Sequence, residues 1–233
     1  MTTPAGAPTR LAVPPESDIG LAPGFELWAL DLMAPPRPEE TTTLSAPELH
    51  KAARFVFERD RRRYLAAHGQ LRRLLAGYTG VAGARLEFIE GPFGKPALAG
   101  LAACSFNLSH SEDAGMLLMA PHGELGVDVE VLRPMRDALA LAERNFSRTE
   151  NAELRAVAEQ NRDHAFLTGW TRKEACLKAI GSGLSIAPDI FTAGLAHEPC
   201  TTEIATPQGR ARVHVASYCP DGLRLIAWAR LEP

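Results

Sequence analysis

Two stretches of helical length, about residues 60–78 and 163–180, are each set among apolar runs too short to be anything but strands. Side chains at helical spacing bury one stripe, and short β-forming runs bury one or both faces, so such a chain must pack helices onto sheets. The first helical stretch carries Tyr64, Leu71, Leu74, Leu75 and Tyr78 on one stripe, and the second is closed by Gly181 and Gly183. A first strand is expected over Phe25–Leu32, further strands near 85–90, 104–108 and 114–120, then LGVDVEV at 125–131, and two more near 211–217 and 223–230. Ser45 with Glu48, and Ser147 with Glu150, have the spacing of capping boxes that start helices. The order of elements is similar in the two halves, and the fold class expected is α+β. The expected division is a flexible lead-in over 1–24, rich in Pro, Gly, Ala and Thr, an N-terminal α+β half over 25–124 and a C-terminal half over 125–233.

Composition limits what the chain can do. A net charge of −3 over 233 residues is not that of a protein gripping nucleic acid by bulk electrostatics. No apolar run reaches the roughly 18–20 residues that cross a bilayer, and the N-terminus lacks a basic segment followed by an apolar one. Cys104, Cys176, Cys200 and Cys219 have no CxxC pair, which argues against a zinc knuckle or a disulfide framework. A cytoplasmic protein with neither nucleic acid nor membrane as partner is expected.

Five clusters carry chemistry. In GVDVE, Asp128 and Glu130 stand two apart on a strand, so their carboxylates leave the same face and suit Mg2+ or Mn2+; a solvated acidic face would read the same way. In WTRKEACLK, Glu174 and Lys178 are four apart on a helix, with Lys173 beside them and Trp170 a turn earlier. That pair alone could be a surface salt bridge, and Trp170 could be core. Three carboxylates with lysines make a place for a metal-bound diphosphate. FNLSHS supplies Asn107, Ser109, His110 and Ser111 as donors toward phosphate oxygens. GPFGKPAL places Gly94 and Lys95 in a turn, and Arg59, Arg61, Arg62, Arg63, Arg72 and Arg73, with Lys51 and Arg54 upstream, make a basic helix face. Such a face is either solvated or meets a phosphate or an acidic partner. No GxSxG elbow is present to suggest a hydrolase triad.

In order and spacing these clusters resemble the Sfp-type 4'-phosphopantetheinyl transferases: GKP at 94–96, FNLSHS at 106–111, GVDVE at 126–130, FSRTE at 146–150 and WTRKEACLKAIGSGLS at 170–185, within a match spanning roughly 45–195. The resemblance implies a pseudo-twofold pair of similar α+β halves with the active site between them, in a monomer. It implies transfer of phosphopantetheine from coenzyme A to a serine of an apo acyl or peptidyl carrier protein, releasing adenosine 3',5'-bisphosphate. Asp128, Glu130 and Glu174 would hold Mg2+, with Mn2+ an alternative, and Glu174 would help deprotonate the serine. Lys178 and His110 would meet the diphosphate, and Lys173 belongs with them by position. Lys51, Arg54, Arg63, Gly94, Lys95 and Ser109 would favour the adenosine end and its 3'-phosphate; Tyr64 stands where some relatives carry a small hydroxylated residue. The rival reading is a non-catalytic coenzyme A or nucleotide-binding module that docks carrier proteins, for which degraded carboxylates are expected.

Overall fold

A computed structural model describes residues 7–14, 18–21, 23–100 and 104–233. The chain runs β1 (Thr9–Leu11), β2 (Glu26–Asp31), α1 (Pro38–Thr41), α2 (Ala46–Ala53), α3 (Glu58–Thr79), β3 (Phe88–Glu90), β4 (Pro96–Leu98), β5 (Ser105–Ser111), β6 (Ala114–Ala120), β7 (Leu125–Val131), α4 (Ala138–Asn145), α5 (Arg148–Ala156), α6 (Glu159–Ile180), β8 (Cys200–Thr206), β9 (Gly209–Tyr218) and β10 (Arg224–Leu231). Two antiparallel four-stranded sheets have the orders β1-β2-β6-β5 and β7-β10-β9-β8, and β3 with β4 makes a separate hairpin. The protein is thus mixed α and β. No helix among the described residues is long and apolar enough to cross a membrane.

The uninterrupted apolar run of β6 follows from coverage of both its faces. Met116, Leu118 and Ala120 join Leu27, Val127, Val129, Ile226 and Trp228 between the two sheets. Leu117 and Met119 join Leu30, Ala66, Ala67, Leu71 and Leu75 under α3. On the far side of the second sheet, Ala175, Cys176 and Ala179 of α6 pack against Val213, Val215, Ala227 and Ala229. The two sheets therefore meet through one face each, and α3 and α6 cover their outer faces.

Both capping boxes form: Ser45 accepts from the Glu48 amide and Ser147 from the Glu150 amide. Gly80 and Gly181 end α3 and α6 in the left-handed region, at φ 74° in each case. Of the lead-in expected over 1–24, residues 1–6, 15–17 and 22 lie outside those described. The remainder departs from that expectation: Thr9–Leu11 pairs with β2 as an edge strand, and Ile19 and Leu21 enter the core between the sheets. A three-residue strand and two separated apolar side chains make no periodic signal, which is why composition alone suggests little to bury.

Candidate active site

The outer strands β5 and β7, one from each sheet, lie side by side without sharing a backbone ladder. Side chains bridge them instead. Phe106 and Leu108 of β5 turn to the α3 core, so by strand alternation Asn107, Ser109 and Ser111 turn the other way. Asn107 Oδ1 accepts the Val127 amide at 2.8 Å, the Ser109 hydroxyl donates to Asp128 Oδ1 at 2.7 Å, and the Ser111 hydroxyl donates to Glu130 Oε2 at 2.8 Å. The FNLSHS and GVDVE motifs are the two sides of one seam.

Helix α6 closes the seam because Gly126 lets it approach. A Cβ at Gly126 would lie 2.0 Å from the Ala175 carbonyl oxygen and 2.5 Å from the Ala179 amide nitrogen, so no other residue fits there without moving the helix. At that contact Lys178 Nζ donates to Asp128 Oδ1 at 2.6 Å and to Ser109 Oγ at 2.8 Å. Arg133 donates to Glu130 Oε2 at 2.8 Å. Each strand carboxylate is thus held at a single oxygen by one serine and one cation. Glu174 has no hydrogen-bond or ion-pair partner among the described residues; burial, then the charges of Asp128 and Glu130, push its carboxyl above the usual range. Burial likewise raises Asp128, against the pull of Lys178 and Ser109.

No group of three His, Cys, Asp or Glu side chains among the described residues stands arranged to hold a metal ion. The donor set nevertheless suits a hard divalent cation: of the three carboxylates from β7 and α6 one is unpaired, Glu130 helps to raise Asp128, and Asp128 and Glu130 help to raise Glu174, a repulsion that a cation between them would relieve. In Asp128 and Glu130 one oxygen each meets Lys178 or Arg133.

Lys173 does not reach this cluster. Its ammonium is fully buried against Glu150 Oε2 at 2.8 Å and the Pro188 and Phe191 carbonyls, under the Phe191 ring. The expectation that it contacts coenzyme A is corrected by helix geometry, since adjacent residues project about 100° apart and only those three or four apart share a face. Glu150 also accepts the Ala193 and Gly194 amides, and Arg172 donates to the Ala193, His197 and Glu198 carbonyls. Half of WTRKEACLK therefore secures the loop that follows α6, and Glu174 with Lys178 faces the seam.

The basic helix divides in the same way. Arg72 is buried, donating to Glu48 and to the Gly83 and Leu86 carbonyls, and Arg73 pairs with Glu40. Arg72 thus does not belong to an exposed basic face, and Arg73, partly exposed, is tied to Glu40. Arg63 meets Asp113 at 2.8 Å in the β5–β6 turn. Lys51 stands 5.5 Å from the Tyr64 ring centre; Tyr64 stacks on His68 at 4.0 Å and touches Phe55 at 5.4 Å. Lys51, Arg54 and Phe55 border a hollow of about 350 Å³. His110 is exposed as a residue, yet the protein beside it strips part of its hydration, and with Lys178, His68 and Arg63 near, its pKa falls below the ordinary value. Gly94 takes φ 80° in the β3–β4 turn, and Lys95 donates to Glu124 at 2.7 Å and to the Ala179 carbonyl at 3.2 Å, at the end of α6. That lysine lines a groove of about 400 Å³ bordered by Phe106, Leu125 and Gly181. Ser111 and Arg133, which hold Glu130, are not marked by the sequence as partners of a carboxylate. The signal for Ser111 lies in its motif, whereas nothing local marks Arg133.

Residues 124–220 match the family model described as the 4'-phosphopantetheinyl transferase superfamily. Over the longer span, the chain is 36% identical to the 4'-phosphopantetheinyl transferase HetI of Nostoc sp. (strain PCC 7120), across 84% of this chain and 85% of HetI. The chain belongs to the 4'-phosphopantetheinyl transferase family. The similarity to the Sfp enzyme of Bacillus subtilis (strain 168) is 27% identity over 75% of this chain and 76% of that one. The AcpT transferase of Escherichia coli (strain K12) is 45% identical over 41% of this chain and 49% of its own. As a 4'-phosphopantetheinyl transferase, this enzyme acts on coenzyme A and carrier proteins.

Proposed function

We propose that the seam between β5, β7 and α6 is where the serine of an apo acyl or peptidyl carrier protein attacks the β-phosphate of coenzyme A, releasing adenosine 3',5'-bisphosphate. The observation that carries this is the meeting of Ser109, Asp128 and Lys178, from three elements, within 2.8 Å of one another and beside the unpaired Glu174. Glu174 takes the serine proton. Burial and like charges raise its pKa, which makes it a stronger base than an exposed glutamate. Lys178 and His110 meet the diphosphate; Ser109, expected at the adenosine end, instead donates to Asp128 and accepts from Lys178 beside it. Arg63, Lys51, Arg54 and the Gly94–Lys95 turn favour the adenosine end and its 3'-phosphate. Asp128, Glu130 and Glu174 would hold Mg2+ or Mn2+, which supplies charge neutralisation at the diphosphate.

Both sheets contribute side chains to the seam, one lying wholly before residue 121 and the other wholly after 124. That supports a pseudo-twofold pair of halves, 25–124 and 125–233, with the site between them and complete within a monomer. The four unpaired cysteines suit a reducing cytoplasm.

Incubation with coenzyme A, Mg2+ and a panel of apo carrier proteins, read by intact mass, tests the proposal. One phosphopantetheine added per carrier, lost with EDTA and with Asp128→Ala, is the expected result. Undiminished transfer in excess EDTA rules out the metal role.

A further inference from the structure

We infer that Ser111 is a positioning residue for the transfer reaction, acting through Glu130; the inference rests on the metal role proposed above for Glu130. Glu130 stands near the end of β7, where its long side chain has several rotamers to choose from, and ordering it carries an entropy cost. Ser111 removes that freedom from across the seam, its hydroxyl donating to Oε2 at 2.8 Å. Arg133 holds the same oxygen at 2.8 Å from the other side, so the two donors fix the carboxylate at one oxygen.

The hydroxyl is itself held in place. Ser111 pairs with Ala114 across a two-residue turn, in which Glu112 takes φ 50°, a left-handed conformation that non-glycine residues rarely adopt. Asp113 of that turn is tied to Arg63 of α3 at 2.8 Å. A continuous set of contacts therefore runs from α3 through the hairpin to a carboxylate of the other sheet. Ser109 differs, because it shares Lys178 with Asp128 and so lies among the groups that meet the diphosphate. Ser111 touches only Glu130 among the described side chains that bond it, which is the arrangement of an outer partner that orients a ligand.

Ser111→Thr and Ser111→Val separate the hydroxyl from its volume, since the two replacements are nearly the same shape. Mn2+ binding is measured by electron paramagnetic resonance on the full chain with coenzyme A and no carrier, beside a thermal melt in EDTA. Steady-state kinetics supply the split between kcat and KM. Ser111→Val is expected to weaken Mn2+ about tenfold, the lower end of what losing an outer partner does to a metal site. Carrier kcat should fall by a similar factor while KM for coenzyme A holds within about twofold. Ser111→Thr should restore most of both. In a Glu130→Gln background, Ser111→Val should add no further loss, because the contact has already gone. Wild-type Mn2+ affinity in Ser111→Val, or an equal loss in the Glu130→Gln background, overturns the positioning role. If Glu130→Gln alone binds Mn2+ like wild type, the metal assignment of Glu130 itself fails; if it is weakened while Ser111→Val is normal, only the positioning role does.

Discussion

Glu174 shares its surroundings with two other carboxylates, but unlike Asp128 and Glu130 it has no serine or cation holding it. Removing its charge therefore breaks no salt bridge and relieves repulsion, so Glu174→Gln should melt at the wild-type temperature or slightly above. Turnover should behave in the opposite way, with kcat falling roughly 10²- to 10⁴-fold for the loss of a positioned base. Steady-state kinetics beside a thermal melt of the same preparation decide the matter; normal turnover removes Glu174 from the chemistry. His110 offers a second residue-scale test. Lost hydration, with Lys178, His68 and Arg63 nearby, holds its pKa down, so a bound diphosphate should raise it toward or past its ordinary value. Proton NMR of the His110 ring with and without coenzyme A reads the shift, and an unmoved titration places the diphosphate elsewhere.

At the scale of elements, the close approach of β7 and α6 brings Asp128 and Lys178 together, and Gly126 alone permits it. Gly126→Ala should cost about 3 kcal/mol or more, because backbone atoms of α6, not a flexible side chain, stand where the methyl would go. Activity should fall with it as Glu174 and Lys178 are pushed off the seam. Gly77 is the natural control: it lies exposed within α3, and a methyl added there would meet nothing within 4 Å, so Gly77→Ala should stabilise by roughly 0.5–1 kcal/mol. Denaturant midpoints for the two variants check the pair. A Gly126→Ala protein as stable and active as wild type would mean that the helix shifts freely and the seam does not depend on this contact.

For the whole molecule, the first sheet's helix layer is fastened by a buried polar knot. Glu48 caps α2 and also takes Arg72 and His68 of α3. Burial raises its pKa, but the hydrogen bonds from His68, Arg72 and Ser45 outweigh that and hold it at about 2, against an ordinary 4.5. A carboxyl lowered in the folded state stabilises the fold fully above its unfolded pKa, and the contribution disappears as pH falls through the folded value. On the order of 3 kcal/mol should therefore be lost between about pH 4.5 and pH 2. Urea midpoints across that range should show the slope in wild type and much less of it in Glu48→Gln. Equal slopes would place the acid sensitivity elsewhere in the molecule.

Periodicity, capping pairs and motif order are local properties, and they are enough to place α3, α6, β6 and β7 within a few residues and to single out Asp128, Glu130, Glu174 and Lys178. Strands β1, β4 and β8 escape such a reading because two are three residues long and the third alternates polar side chains at a sheet edge, so none carries an apolar signature of its own. Only the folded chain separates Lys173 from Glu174, its neighbour in the same motif, since the rotation of one residue along α6 sends one side chain to Glu150 and leaves the other at the seam. Likewise, only the fold sets β5 against β7, which turns Ser109 and Ser111 from generic phosphate donors into partners of Asp128 and Glu130. Contacts between residues about twenty positions apart in separate sheets depend on how the sheets pack, and no local pattern of side chains encodes that.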